Sequence, residues 1–97
     1  MPPFGRLAAL IVSGVESGPV DAAARALARL APREEGVVAL GPAPAPLALL
    51  RGRHRSRLLL KTVREIEIHR LLRRWLADAA IPSGVRVQID IDPYSFM

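Results

Sequence analysis

The sequence predicts an α+β domain of the ferredoxin-like type, in which two helices cover one face of a four-stranded antiparallel sheet in the order βαββαβ. Helical patterns at residues 20–31 and 64–80 are interspersed with apolar or alternating runs that are typical of strands. The length of 97 residues suffices for one modest core. We therefore expect a single domain that spans residues 1–97.

The first part of the chain predicts a strand, a helix and a second strand. Residues Arg6–Gly14 are apolar on both alternating faces. This pattern indicates a central strand that is covered on both sides or has one face against a neighbouring domain. After a turn at residues 16–19, the segment 20–31 is rich in alanine and leucine and predicts a helix that Pro32 ends. The apolar run 36–41 predicts the second strand.

Residues 41–50 form a proline-rich segment. The prolines at positions 42, 44 and 46 remove alternate backbone donors and favour an extended backbone. We expect a stiff connector here, followed by a third strand at residues 57–61.

The last two elements have the clearest periodicity. In the segment 64–80, one apolar stripe with helical spacing comprises Ile68, Leu71, Leu72, Trp75, Leu76 and Ala79. Trp75 is therefore expected in the core. Residues 85–92 alternate between apolar and polar side chains, which predicts a strand that is buried on one face only, and Pro93 ends it.

The composition excludes several classes of site. The chain has no cysteine, hence no disulfide framework, thiolate zinc site or cysteine nucleophile. Of its two histidines, we expect His54 in solvent and His69 at the rim of the helix stripe, and the two alone cannot build a typical metal site. Neither a glycine-rich phosphate loop nor a G-x-S-x-G nucleophile motif is present.

No apolar run approaches the roughly 20 residues of a membrane span, and we see no signal peptide. We therefore expect a cytoplasmic domain without catalytic residues, metal ligands or a cofactor of its own.

The positive charge is concentrated in one quarter of the chain. The whole chain has a net charge of +5, and residues 51–74 contain nine cations and two acids. Within this stretch, five cations share one parity and would project from one face of an extended segment: Arg51, Arg53, Arg55, Arg57 and Lys61. Their spacing of about 6.6–6.8 Å on a strand is similar to that of successive phosphates on an extended single strand of nucleic acid. The row therefore predicts a phosphate-binding surface, and the alternative is a solvated hairpin edge whose charge prevents edge-to-edge aggregation.

Two further groups of side chains have a functional and a structural interpretation. Asp90 and Asp92 lie two residues apart on the last strand and could bind a metal. The more common alternative is that Asp92, which precedes Pro93, caps a turn while its neighbour Asp90 pairs with an arginine. Phe4, Tyr94 and Phe96 place aromatic rings near both termini, where they indicate docking surfaces of a larger protein or frayed tails. Neither the first nor the third strand contains an aromatic residue, which argues against base stacking on the sheet.

Three segments carry a resemblance to a known family: PPFGRLAALIVSG, LGPAPAPLALLRGRHRSRLLLK and VRVQIDIDPYSFM. They resemble the C-terminal domain of bacterial primosomal protein N′, the replication-restart DNA helicase PriA, and the resemblance extends from Pro2 to Met97. It implies an accessory domain of an ATP-dependent 3′ to 5′ helicase in which other domains bind ATP, magnesium and zinc. It also implies that the end of the sequence is close to a natural C-terminus and that its start is a boundary within a longer chain.

The resemblance further implies two kinds of partner. In this family the domain contributes to binding of branched or single-stranded DNA, contacts the rest of the helicase chain, and helps to bind the acidic C-terminal tail of single-stranded-DNA-binding protein. An arginine at the start of the second helix is implicated in binding the tail, and Arg64 occupies the matching position. A glutamine often follows one turn later, and here Ile68 stands in its place.

The resulting hypothesis is a non-catalytic DNA-binding and protein-docking domain of a replication-restart primosomal helicase, which we expect to be monomeric. One alternative is a protein-interaction module that binds acidic partner tails without contacting DNA. Another is a free-standing RNA-binding domain of ribosomal type.

Overall fold

The computed structural model describes residues 5–92. It contains six elements, which are β1 (Arg6–Gly14), α1 (Ser17–Arg29), β2 (Val37–Leu50), β3 (Arg53–Thr62), α2 (Ile68–Ala77) and β4 (Val85–Ile91). The terminal aromatic residues Phe4, Tyr94 and Phe96, predicted above as docking surfaces, lie outside the described residues. Neither helix has the length and apolarity that crossing a membrane requires, as far as residues 5–92 are concerned.

The four strands form one antiparallel sheet in the order β2-β3-β1-β4. Together with the element order, this sheet confirms the predicted ferredoxin-like βαββαβ fold. The first strand, predicted as central from its apolar composition, pairs with β3 on one side and with β4 on the other.

The core lies between one face of the sheet and the two helices. Leu10 and Val12 of β1 and Leu58 and Leu60 of β3 point into it, since alternate residues of a strand face the same side. The helices contribute the remaining buried apolar side chains: Val20, Ala23, Ala24, Leu27, Ile68, Leu71, Leu72 and Trp75. The apolar stripe predicted for the second helix is therefore its buried face.

Trp75 joins the two helices. Its side chain is 2% exposed, as the sequence predicted for a core residue. The indole Nε1–H donates a hydrogen bond to the carbonyl oxygen of Leu27 in α1 over 2.8 Å. A buried indole needs such a partner, because an unpaired polar group in the core is costly.

The proline-rich segment 41–50 requires a correction. It is extended, but it is the second part of β2 and not a connector outside the sheet. β2 is an edge strand, where a missing donor can face solvent, so its prolines do not prevent pairing with β3. The pairing shifts register between Leu40 and Ala43 and again between Pro44 and Leu49. The third strand is also longer than predicted, since it begins at Arg53.

The second helix begins four residues later than predicted, at Ile68. The residues that precede it form a turn, and Glu67 is the N-cap whose carboxylate accepts a hydrogen bond from the backbone N–H of His69 over 3.0 Å. That bond and the contact with the His69 ring hold the pKa of Glu67 below its ordinary value. His69 is exposed beside the helix start, in agreement with its predicted position at the rim.

Candidate nucleic-acid interface

Both helices pack on the same face of the sheet, and within residues 5–92 no helix covers the opposite face. We refer to this opposite face as the open face. The pairing register places on it residues 7, 9, 11 and 13 of β1, residues 53, 55, 57, 59 and 61 of β3, and residues 86, 88 and 90 of β4. Side chains that are far apart in the sequence therefore share one surface.

Four of the five predicted cations lie on the open face. Arg53, Arg55, Arg57 and Lys61 alternate along β3 with residues that are buried on the helix side. Arg51 does not join them. It lies with Gly52 in the turn between β2 and β3, where the two residues have φ values of 51° and 76°. Positive φ at both central residues is typical of a type I′ hairpin turn.

The guanidinium groups of Arg53 and Arg55 lean in opposite directions within this face. Nη2 of Arg53 donates to the hydroxyl oxygen of Ser13 on β1 over 3.4 Å. Nη1 of Arg55 donates to the carbonyl oxygens of Pro46 and Leu47 on β2, over 2.7 and 3.3 Å. The two guanidinium groups thus do not form a straight line above β3, because one hydrogen-bonds to β1 and the other to β2.

The partners of these two arginines are neutral. Neither Arg53 nor Arg55 takes part in the ion pairs found among residues 5–92, such as the pair between Arg6 and Asp92. The positive charge of both groups is therefore oriented by neutral oxygens and is not cancelled by a carboxylate.

The centre of the open face is formed by small and apolar residues of β1. Ala9 and Ser13 are buried, while Leu7 and Ile11 are half-buried. Between residues 5 and 92 the open face has no aromatic side chain, since Trp75 lies in the core. The described part of the open face therefore offers cations and small apolar side chains but no aromatic platform on which bases could stack.

Arg86 is a residue of the open face that the sequence did not single out. It pairs in register with Ser13 and is exposed. The alternation of β4 indicated that Arg86 faces away from the apolar side chains of its own strand. Only the strand order shows that this direction is the same as that of Arg53 and Arg55.

The two aspartates at the other end of β4 have different environments. Asp92 follows the strand and accepts hydrogen bonds from the backbone N–H of Leu7 and from Nε of Arg6, both over 2.9 Å. The Leu7 N–H, followed by the Arg6 side chain, holds the pKa of Asp92 below its ordinary value. An aspartate is thus paired with an arginine, but it is Asp92 and not its neighbour Asp90, for which the pairing was predicted. Asp90 lies on the open face opposite Ala9 and is exposed.

The predicted tail-binding residue lies apart from the arginines of β3. Arg64 is exposed in the turn before α2 and not at the helix start, which corrects its predicted position. Its side chain passes over Gly5, where an added Cβ would collide with the Cγ of Arg64. Ile68, which occupies the place of the family's glutamine, is fully buried in the core and cannot contact a ligand.

His54 lies on the helix side of the sheet. It is half-buried and lines a groove of about 430 Å³ between α1 and the proline-rich part of β2, together with residues that include Asp21, Arg25 and Pro44. The prediction of a solvated histidine within the basic stretch is corrected accordingly. The parity of β3 explains the outcome, since residue 54 faces opposite to residues 53 and 55.

Comparison with known proteins gives a consistent result over the whole chain. The family described as "Primosomal protein N C-terminal domain" matches residues 1–94. Proteins called "Replication restart protein PriA" from Rickettsia felis and Rickettsia prowazekii are 38% and 36% identical over 96 residues, which cover 99% of this chain. The protein of the same name from Synechocystis sp. is 34% identical over 96 residues, or 97% of the chain. The chain spans only 15% of the length of the two Rickettsia relatives and 11% of the third.

Proposed function

This chain belongs to the family of primosomal protein N C-terminal domains, and from that membership we propose that it is a DNA-binding and docking domain of a replication-restart protein. It carries out no catalysis of its own. It binds single-stranded or forked DNA through the cations of the open face, centred on Arg53 and Arg55, with Arg57 and Lys61 beside them.

The observation that carries the proposal is the arrangement of Arg53 and Arg55. Both lie on the face of the sheet that the helices leave uncovered. Both are oriented by neutral oxygens of Ser13, Pro46 and Leu47, and their remaining guanidinium donors can bind an anion. Arginine presents a planar set of donors that matches phosphate oxygens, and part of the entropy cost of binding is avoided when the group is already held in place.

The expected mode of binding is independent of base sequence. Contacts between arginine and phosphate fix the position of a strand but do not read its bases. Since the described open face offers no aromatic ring, stacking adds little, and affinity comes from charge and counterion release. The domain would therefore accept DNA of any sequence and would depend on other parts of the protein for the recognition of a particular fork.

The test is fluorescence anisotropy of the 97-residue chain with labelled single-stranded and forked oligonucleotides over a range of salt concentrations. We expect log K to fall with log salt by about 0.7 for each phosphate contact on a single strand, so the double variant Arg53→Ala, Arg55→Ala should lower the slope by about 1.4. The matched control is Arg70→Ala, Arg74→Ala, which removes two exposed cations from α2. Equal affinity and slope for the Arg53, Arg55 variant and the parent chain would refute the proposal.

The proposal extends to the cellular setting. We propose a cytoplasmic, monomeric domain that holds no cofactor, with any ATP, magnesium and zinc bound elsewhere in the longer protein. Its macromolecular partners would be DNA, the rest of the replication-restart chain and an acidic protein tail.

The acidic tail is a second candidate ligand with an observation of its own. Arg64 is exposed at the end of the sheet that is remote from Arg53, since Thr62 lies opposite Arg6 whereas Arg55 lies opposite Ser13. We propose that an acidic peptide binds at Arg64 without occupying the open face. In a titration with a labelled acidic peptide, Arg64→Ala should weaken binding while the Arg53, Arg55 variant should not. The opposite pattern would mean that peptide and DNA compete for one surface.

A further inference from the structure

A row of three residues crosses the open face at one end. Arg55 of β3 is in register with Ser13 of β1, and Ser13 is in register with Arg86 of β4. Adjacent strands are about 4.8 Å apart, so the Cα atoms of Arg55 and Arg86 are separated by about 9–10 Å. The Cα atoms of two cationic residues, one in β3 and one in β4, thus flank a single serine of β1.

Arg53 adds a third cation to this end of the sheet. Its guanidinium leans across to β1 and reaches the hydroxyl oxygen of Ser13. Because that oxygen accepts from Arg53, its own hydrogen is available for an acceptor such as a phosphate oxygen. Ser13 is only 5% exposed, so its hydroxyl lies at the floor of the space between Arg53 and Arg86.

No carboxylate neutralises this group within residues 5–92. The ion pairs found there involve neither Arg53 nor Arg86. Along the open face of β4 the charge then changes sign, from Arg86 through Gln88 to Asp90.

The end of β3 at Lys61 has a different electrostatic environment, because acidic side chains lie near it. Lys61 is in register with Leu7, whose backbone N–H is bound by the carboxylate of Asp92. Asp90 and Asp92 are both at this end of the sheet. Arg6 compensates the charge of Asp92, so a polyanion that followed β3 as far as Lys61 would approach the negative charge of Asp90.

We propose that Ser13, Arg53 and Arg86 form a phosphate-binding subsite, and that a single DNA strand crosses the sheet from β3 over β1 to β4 instead of following β3 to Lys61. The subsite rests on the proposed DNA-binding function and specifies its path. Arg53 and Arg86 contact the phosphate from two sides, and the Ser13 hydroxyl donates to it from below.

Two single variants of the 97-residue chain separate the two paths. Both Arg86→Ala and Lys61→Ala remove one cation from the same face. If the strand crosses the sheet, Arg86→Ala weakens binding of a labelled single-stranded oligonucleotide about five-fold and lowers the salt slope by about 0.7, while Lys61→Ala, which removes a charge farther from the strand, weakens it by a smaller factor of about two. Oligonucleotides of different base sequence should show the same ratio, because only phosphates are contacted.

The result that overturns the subsite is the reverse order, with Lys61→Ala more harmful than Arg86→Ala, or an equal effect of both. Far-ultraviolet circular dichroism checks folding, and Arg86→Lys, which retains the charge, should recover part of the affinity. The failure of the subsite is distinguishable from that of the proposed function. If Arg53→Ala, Arg55→Ala abolishes binding and Arg86→Ala has no effect, only the path is wrong. If none of these variants alters binding, both are wrong.

Discussion

The hydrogen bond of Trp75 predicts how the second helix depends on a single side chain. Trp75 is the only tryptophan, it is almost fully buried, and it connects α2 to α1 through the carbonyl oxygen of Leu27. We expect Trp75→Phe to destabilise the domain substantially, although phenylalanine is also aromatic and apolar. Phenylalanine cannot donate to that carbonyl and leaves part of the indole volume empty.

The magnitude follows from two contributions. Loss of the hydrogen bond lowers the free energy of unfolding by only about 1 kcal/mol, because the Leu27 carbonyl still accepts a hydrogen bond from the N–H of Leu30 over 3.2 Å. The incomplete filling of the core adds about 1–2 kcal/mol, less than the roughly 3–5 kcal/mol of a substitution to alanine. The free energy of unfolding should thus fall by about 2–3 kcal/mol out of the roughly 5–15 kcal/mol typical of a domain. The melting temperature should fall by about 10–20 °C.

The measurement is urea denaturation followed by far-ultraviolet circular dichroism, because the variant lacks the fluorescent indole. A suitable control is Leu30→Ala, which truncates an apolar side chain that is 43% exposed and should change stability by less than about 1 kcal/mol. If Trp75→Phe lies within about 0.5 kcal/mol of the parent chain, the indole does not hold the helices together and the reasoning is wrong.

Two further predictions concern the edge strand and the acidic end of the sheet. Gly41→Ala should lower the free energy of unfolding by about 2 kcal/mol or more, because Gly41 has a φ of +104° and an added Cβ would lie 2.7 Å from the carbonyl oxygen of Arg57. The control is Gly18→Ala on α1, where an added Cβ meets open space, and it should stabilise the domain slightly. Asp92 has a lowered pKa, so its stabilising effect is complete above the unfolded value of 3.8 and is lost as the pH falls through the folded value. Acid titration of stability should therefore show a smaller loss below about pH 4 for Asp92→Asn than for the parent chain. Identical acid profiles of Asp92→Asn and the parent would contradict this.

The sequence predicted the fold well in segments whose apolar residues recur with a single clear period. The doubly apolar run of β1 and the alternation of β4 gave strand bounds within one residue of those observed. The predicted second helix began too early, at Arg64, because the residues before Ile68 are polar apart from Ile66 and provide no stripe that could mark the start. The N-cap Glu67 is recognisable only from its hydrogen bond with the backbone of His69.

The edge strand was mispredicted for a different reason. Three prolines argue against a strand when hydrogen bonding on both sides is assumed, whereas an edge strand needs donors on one side only. The sequence does not state which strand is at the edge, and thus could not distinguish a connector at residues 41–50 from the second half of β2.

The candidate site was predicted in part. Parity alone placed Arg53 and Arg55 on one face, since every second residue of a strand points the same way. It could not predict that their guanidinium groups lean apart, because the acceptors on Ser13 and Pro46 come from two other strands. The same dependence on strand order kept Arg86 out of the predicted set.

The position of β1 between β3 and β4 determines when, during synthesis, the sheet can be completed. β1 is the first strand of the described region to be synthesised and β4 the last, so one side of the central strand lacks its neighbour until nearly all of these residues have left the ribosome. Long-range pairing of this kind slows folding, because distant segments must meet before either gains from the contact. A fragment truncated before β4 would expose the backbone of β1 along that side, and it would also lack Arg86.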